Sequence, residues 1–240
     1  MVQTPISPQR LYPESDGKPM AENTLQYRWI VRLVSNLKHR FADQQVFVAG
    51  DLLWYPVPVE RPPAPCQAPD VMVVLGRPDG VREASPQENR GSYKQWEEEN
   101  IPPQVVFEIL SPSNSVSEMA GKQRFYEQYG VLETFFYDPD SQDFWGFHRE
   151  TAQAPLTLIT PLHLPWTSPL LGVRFEFAAD GLALYHPDGE LFKEPTALFV
   201  ERDQAQRERD RAQRERDQAQ TERDRAFAKL RELGIDPATL

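Results

Sequence analysis

Cysteine is nearly missing from the chain. Cys66 is the only one in 240 residues, so no disulfide can form within the chain, a usage that fits a reducing compartment and an expected cytoplasmic location. Long apolar runs are missing as well. No stretch approaches the ~20 consecutive apolar residues that span a bilayer, and no apolar segment of signal-peptide type follows the N-terminus, so no membrane partner is expected. Histidine is scarce: His39, His148, His163 and His186 lie far apart, without metal-ligand spacing or a nearby nucleophile, which argues against a His-based metal site and a Ser-His or Cys-His hydrolase. Positive charge is also in deficit. With 26 Lys and Arg against 36 Asp and Glu, the net charge of −10 argues against a broad nucleic-acid-coating surface, but leaves room for a narrow groove or an acidic cluster that holds metal ions.

What is present is organised around the run Gln104 to Ser113, where Val105-Val106-Phe107-Glu108-Ile109-Leu110 is bounded by Pro102-Pro103 and Ser111-Pro112. A short Val/Ile/Phe-rich run between turn residues reads as a strand with at least one face in the core. An unpaired carboxylate buried there costs several kcal/mol, so Glu108 is expected at the strand's end, beside a cation. A second stretch repeats the design. In Ala68-Pro69-Asp70-Val71-Met72-Val73-Val74-Leu75-Gly76 a carboxylate opens an apolar strand, and pairing the two strands brings Asp70 and Glu108 to one sheet end. Two carboxylates that close repel each other unless they share a proton or a metal ion, and hard divalent cations take oxygen ligands of this kind.

Taken in order, residues 1–20 read as a Pro-rich polar arm, and residues 21–195 as one domain. A helix is expected from Glu22 to Arg40, with Leu25, Trp29, Ile30, Leu33, Val34 and Leu37 on its apolar face and Glu22 in its first turn, where the helix dipole favours an anion. Residues 46–55 read as a strand interrupted at Gly50-Asp51, which makes Asp51 an alternative acidic ligand. Between Arg77 and Asn100, the cations Arg77, Arg82, Arg90 and Lys94 are interleaved with Tyr93 and Trp96, a mixture that holds phosphates and stacks on bases, or forms an ordinary loop. A helix over about 117–129 ends at Gly130, and Lys122 shares its apolar side with Met119 and Tyr126. A lysine on that side must snorkel outward or find a carboxylate. A hairpin then follows over 131–149, and short strands with turns at Asp180-Gly181 and Pro187-Asp188-Gly189 continue to residue 192 as a β-meander.

Pro-Asp before an apolar strand, followed by a strand ending Glu108-Ile109-Leu110-Ser111-Pro112, resembles the PD-(D/E)xK nuclease superfamily. With Lys122, Tyr126 and the Gly130-to-Pro139 hairpin segment, it resembles more closely the Uma-two family of restriction-endonuclease-like proteins. The resemblance implies an α/β fold: a restriction-endonuclease-like core with a mixed β-sheet flanked by helices, the β-meander as an extension, and a long C-terminal helix. It also implies hydrolysis of DNA phosphodiesters with Mg²⁺ or Mn²⁺. Asp70 and Glu108 would bind the metal, helped by the Ile109 carbonyl and by Glu22 as a third carboxylate, while Lys122 would orient or deprotonate the attacking water. Arg90, Tyr93, Lys94 and Tyr126 are the candidate nucleic-acid contacts. One departure stands out. The superfamily's lysine two residues after the glutamate is Leu110 here, and Lys122, with Tyr126 four residues later, matches the pattern that takes its place in the resembled family.

Residues 196–240 differ in kind. Glu-Arg-Asp-x-Ala recurs every seven residues, with Glu201, Glu208, Glu215 and Glu222 in register, and a strict heptad on a helix implies a left-handed supercoil. Only alanine fills the seam in most repeats. Acid-first pairs such as Asp203 with Arg207 and Asp210 with Arg214 are expected to support the helix, and Phe227, Leu230, Leu233 and Ile235 to anchor association into a homo-oligomer, most simply a dimer. A second functional reading therefore stands beside the nuclease: a scaffold of nuclease descent that no longer cuts and acts by oligomerisation or partner binding through this helix.

Overall fold

A computed structural model describes residues 11–15, 17, 20–78 and 90–232. By internal contacts the chain divides into two units, 1–193 and 194–240. The first opens with helix α1 (Thr24–Arg40), which starts two residues later than the apolar pattern predicts. Asn23 is its N-cap and accepts from the Gln26 N–H at 2.8 Å, so Glu22 lies outside the first turn. Ile30, Leu33 and Leu37 follow helical spacing and are buried. Each such side chain contributes about 1.5–3 kcal/mol by leaving water.

The main sheet has six strands: β1 (Val46–Gly50), β3 (Val71–Leu75), β5 (Val105–Ile109), β6 (Glu133–Asp138), β7 (Asp143–His148) and β8 (Thr157–Ile159), in the spatial order β1-β3-β5-β6-β7-β8. Within this sheet the other neighbours pair antiparallel, and β5 and β6 pair in parallel. The crossover between them is helix α2 (Val116–Gln128), capped by Ser115 and stopped at Gly130, whose φ of +98° favours glycine. Two short strands, β2 (Trp54–Tyr55) and β4 (Tyr93–Lys94), pair on their own. The break expected near Gly50-Asp51 separates β1 from β2, with Asp51 at φ +46°. Strands β9 (Trp166–Thr167), β10 (Arg174–Ala178) and β11 (Gly181–Tyr185) form an antiparallel sheet of three. Of the expected meander, β8 joins the main sheet instead.

Side chains alternate across each strand with period two, and this alternation builds two cores. Val71, Val73, Val105, Phe107 and Ile109 pack with α1 and the three-stranded sheet. Met72, Val74 and Val106 pack on the other face with Trp54, Tyr93 and Tyr126. Asp70 and Glu108 have the same parity as this second set, so the alternation directs both toward α2. The fold is thus mixed α/β with helices flanking a mixed sheet.

The second unit contains helix α3 (Pro195–Glu232), whose described side chains beyond Pro195 are exposed. Its local bonds differ from the expected ones. Asp210 accepts from Gln206 at 2.8 Å and the Arg214 guanidinium donates to the Asp210 carbonyl, while the ion pair in this stretch is Arg211 with Glu215 at 2.9 Å. The side chains of Phe227 and Leu230, and all of Leu233 and Ile235, lie outside what is described. No described helix is long and apolar enough to cross a membrane.

Candidate active site

Strands β3 and β5 are antiparallel, with Val71 opposite Phe107. Continuing that register by one residue sets Asp70 opposite Glu108, where the start of β3 meets the end of β5. Asp70 Oδ2 accepts from the Ile109 N–H at 2.6 Å, and this bond holds the carboxylate over the neighbouring strand. Helix α2 supplies the cation. Lys122 Nζ donates to Glu108 Oε2 at 2.7 Å, and one turn later the Tyr126 hydroxyl donates to Glu108 Oε1, so both oxygens of this buried carboxylate have partners. An i,i+4 pair points the same way from a helix, which is why one carboxylate receives both groups.

The electrostatics follow from burial. Desolvation first, then the neighbouring Glu108, push the Asp70 carboxyl up to about 8, against the opposing pull of Lys122, the Ile109 N–H and Gln26. For Lys122, burial acts to lower the pKa, but the attraction of Glu108 and Asp70 outweighs it and holds the ammonium above the ordinary lysine value. It is therefore charged at neutral pH. Burial, and then Glu108, raise the Tyr126 phenol well above its ordinary range, which leaves it a neutral donor.

These groups open onto a pocket of about 410 Å³, also lined by Glu22, Asp51 and Glu118. The Glu22 carboxylate accepts from Ser111 Oγ at 2.5 Å and from the Ser113 hydroxyl, neither of which the sequence singled out. Among the described residues no group of three or more His, Cys, Asp and Glu side chains is arranged to hold a metal ion, so Glu22 does not stand with Asp70 and Glu108 as a three-carboxylate cluster. The Ile109 carbonyl is engaged by Gln26 Nε2 at 2.8 Å. Gln26 is a site residue that the sequence reading missed. Its side-chain oxygen accepts from the Glu22 N–H at 2.8 Å, and Asn23-Thr24-Leu25-Gln26 has the spacing of a helix-capping box, the signal that would have found it.

The expected nucleic-acid contacts fare differently. Tyr93 is fully buried and its hydroxyl donates to the Ile101 carbonyl at 2.7 Å, so it offers no face to a base. Tyr126 is fully buried too, and its role is toward Glu108. Arg90 donates to Glu98 at 2.9 Å and lies over the Phe47 ring at 4.3 Å, while Arg77 bonds to Glu98 and Glu99, so these two arginines are engaged within the fold. Lys94 lies 3.7 Å from Glu97 and over the Tyr12 ring. Arg82 is outside the described residues.

A family model described as "Uma2: Putative restriction endonuclease" matches residues 12–180, which contain every strand-end and helix residue of the site. The chain belongs to the Uma2 family. Its described activity makes a nuclease-like function the class that membership supports. Among solved structures, the chain is similar to "a putative nuclease belonging to DUF820 from Anabaena variabilis ATCC 29413", with 17% identity over 66% of this chain and 82% of that one and a TM-score of 0.41. No curated protein matches the chain.

Proposed function

We propose that the protein is an endonuclease that hydrolyses DNA phosphodiester bonds with Mg²⁺ or Mn²⁺. The observation that carries this reading is the opposition of Asp70 and Glu108 at one sheet end with a single ammonium, Lys122, between helix and strand. Burial and the neighbouring Glu108 drive Asp70 up to about 8, a shift that a bound cation would oppose, and oxygen ligands at a polar pocket are the chemistry that a hard divalent ion takes. The donor set fits. Asp70 and Glu108 would hold the ion with the Ile109 carbonyl, whose oxygen has a second lone pair beside its bond from Gln26. Two carboxylates leave room for water and a substrate phosphate, as Mg²⁺ prefers.

A bound ion supplies an acidified water and neutralises charge that develops on the phosphate. The chain's own groups do the rest. Lys122 stays protonated, so its contribution is to orient the attacking water and to stabilise negative charge, not to act as base. Tyr126 fixes the Glu108 carboxylate, and Gln26 fixes the Ile109 carbonyl. Glu22, on the same wall, adds negative charge that draws a cation and repels bare phosphate.

One observation favours the scaffold reading instead: Lys122 and Tyr126 already satisfy Glu108 without any metal. Cleavage decides between them. With Mg²⁺ or Mn²⁺ the wild-type chain is expected to nick plasmid DNA, and chelation, Glu108→Ala or Lys122→Ala to reduce nicking to background. A folded chain that cuts no DNA with either ion would leave the scaffold.

A further inference from the structure

Beside the acidic pocket, and sharing Asn114 with it, runs a second groove of about 460 Å³. Its chemistry is the opposite. Leu110, Met119, Phe136, Trp145 and Phe147, from helix α2 and strands β6 and β7 and the turn after β5, make it apolar. Trp145 is partly exposed there, while Phe136 stacks on it at 5.1 Å with planes 10° apart and fixes the indole in place. Two polar groups stand in this apolar setting. Arg124 is exposed on the groove wall, and the Gln123 side-chain oxygen is buried with no hydrogen-bond partner among the described residues. A buried acceptor left unpaired costs about 1–3 kcal/mol, which a suitable donor in the groove would recover.

We propose that this groove is a nucleobase site that receives an unstacked base next to the scissile phosphate, and that Gln123 favours bases bearing an exocyclic amine. The proposal rests on the nuclease reading and narrows its substrate to DNA that is single-stranded or locally opened. A flat aromatic ligand matches the rigid indole, Arg124 offers a cation to the adjoining phosphate, and Asn114 connects the two pockets along one strand. The amine of adenine or cytosine donates to the Gln123 oxygen. Thymine has none, so it is bound less well.

The test uses the full chain without divalent metal and observes the Trp145 indole N–H by NMR, assigned through Trp145→Phe, during titration with dAMP, dCMP and dTMP. The expected result is saturable movement of the Trp145 signal, stronger for dAMP and dCMP than for dTMP. In Gln123→Leu that preference disappears. In Trp145→Ala, followed by nucleotide signals and checked for an unchanged fold by melting, affinity falls by roughly tenfold, the scale of a lost stacking contact, while Trp145→Phe retains most of it. A Trp145 signal that no nucleotide moves overturns the proposal, as does binding that Trp145→Ala leaves intact. So does a wild-type dimer in sedimentation that Trp145→Glu dissociates, because the groove would then be covered by a second copy. Plasmid nicking with Mg²⁺ is read separately: nicking with a silent Trp145 overturns the base site alone, and an occupied groove without nicking overturns the nuclease reading alone.

Discussion

Two clusters of buried charge lie on this fold, and they are balanced differently. Between β3 and β5, Arg77 and Arg90 meet Glu98 and Glu99, with Arg77 and Glu98 buried together and bonds of 2.5–2.9 Å between the four side chains. Cations and anions match in number. At the sheet end Asp70 and Glu108 face one ammonium, and burial, with the second carboxylate beside it, raises the Asp70 carboxyl to about 8 next to the pocket. A matched cluster holds the chain together, whereas a mismatched one next to solvent is the place where the proposed cation would restore the balance.

The largest effect is expected where matching is destroyed. Glu98→Ala strips both arginines of their shared partner, and breaking a buried pair on one side costs about 3–5 kcal/mol. For a unit of this size that is a fall of about 10 °C in melting temperature, and an unchanged melting curve would remove the cluster from the account. A fourth buried acid sharpens the contrast, because no lysine or arginine among the described residues pairs with it. Glu133 is fully buried, and desolvation pushes it up to about 7 against the bonds from Ser168 and Leu170, with His148 Nδ1 at 3.5 Å. Its folded pKa lies above the ordinary 4.5, so the folded state holds the proton more tightly. This contribution is full below about 4.5 and is lost as pH rises through about 7, a change of about 3 kcal/mol. Glu133→Gln should therefore flatten the decline in stability between pH 5 and pH 8, measured by urea unfolding at both.

At the mismatched cluster a substitution is expected to stabilise. Raised to about 8, Asp70 must take up a proton at neutral pH that the unfolded chain does not hold; Asp70→Asn removes that cost and keeps an oxygen for the Ile109 N–H, so the metal-free chain should gain on the order of 1 kcal/mol at neutral pH. A thermal melt in chelator reads it, and a marked loss of stability would make Asp70 structural. The smallest effect belongs to the exposed helix α3. Arg211→Ala breaks a solvated pair with Glu215 and should change stability by less than about 0.5 kcal/mol.

The same contrast explains what could be read from the sequence. Strand parity is local, so two apolar runs with a carboxylate at the facing ends were enough to oppose Asp70 and Glu108, and helical spacing was enough to bring Lys122 and Tyr126 to one side. The basic run from Arg77 to Lys94 could not be read this way. Whether an arginine meets a phosphate or a glutamate 21 residues away is settled by tertiary pairing, and here Glu98 took Arg77 while Tyr93 turned inward. Gln26 carries no charge to betray it, and it bonds across 83 residues to Ile109. Glu22 was drawn into the helix by an apolar pattern that does not distinguish a capping residue from the one before it.

Whether the Asp70–Glu108 pair is a cation site can be measured before any substrate is known. Calorimetric titration of Mg²⁺ and Mn²⁺ into the wild type and Glu108→Ala, side by side, should give saturable binding to the wild type that is lost in the variant. Binding of equal strength to both proteins, or none to the wild type at millimolar ion, would contradict it.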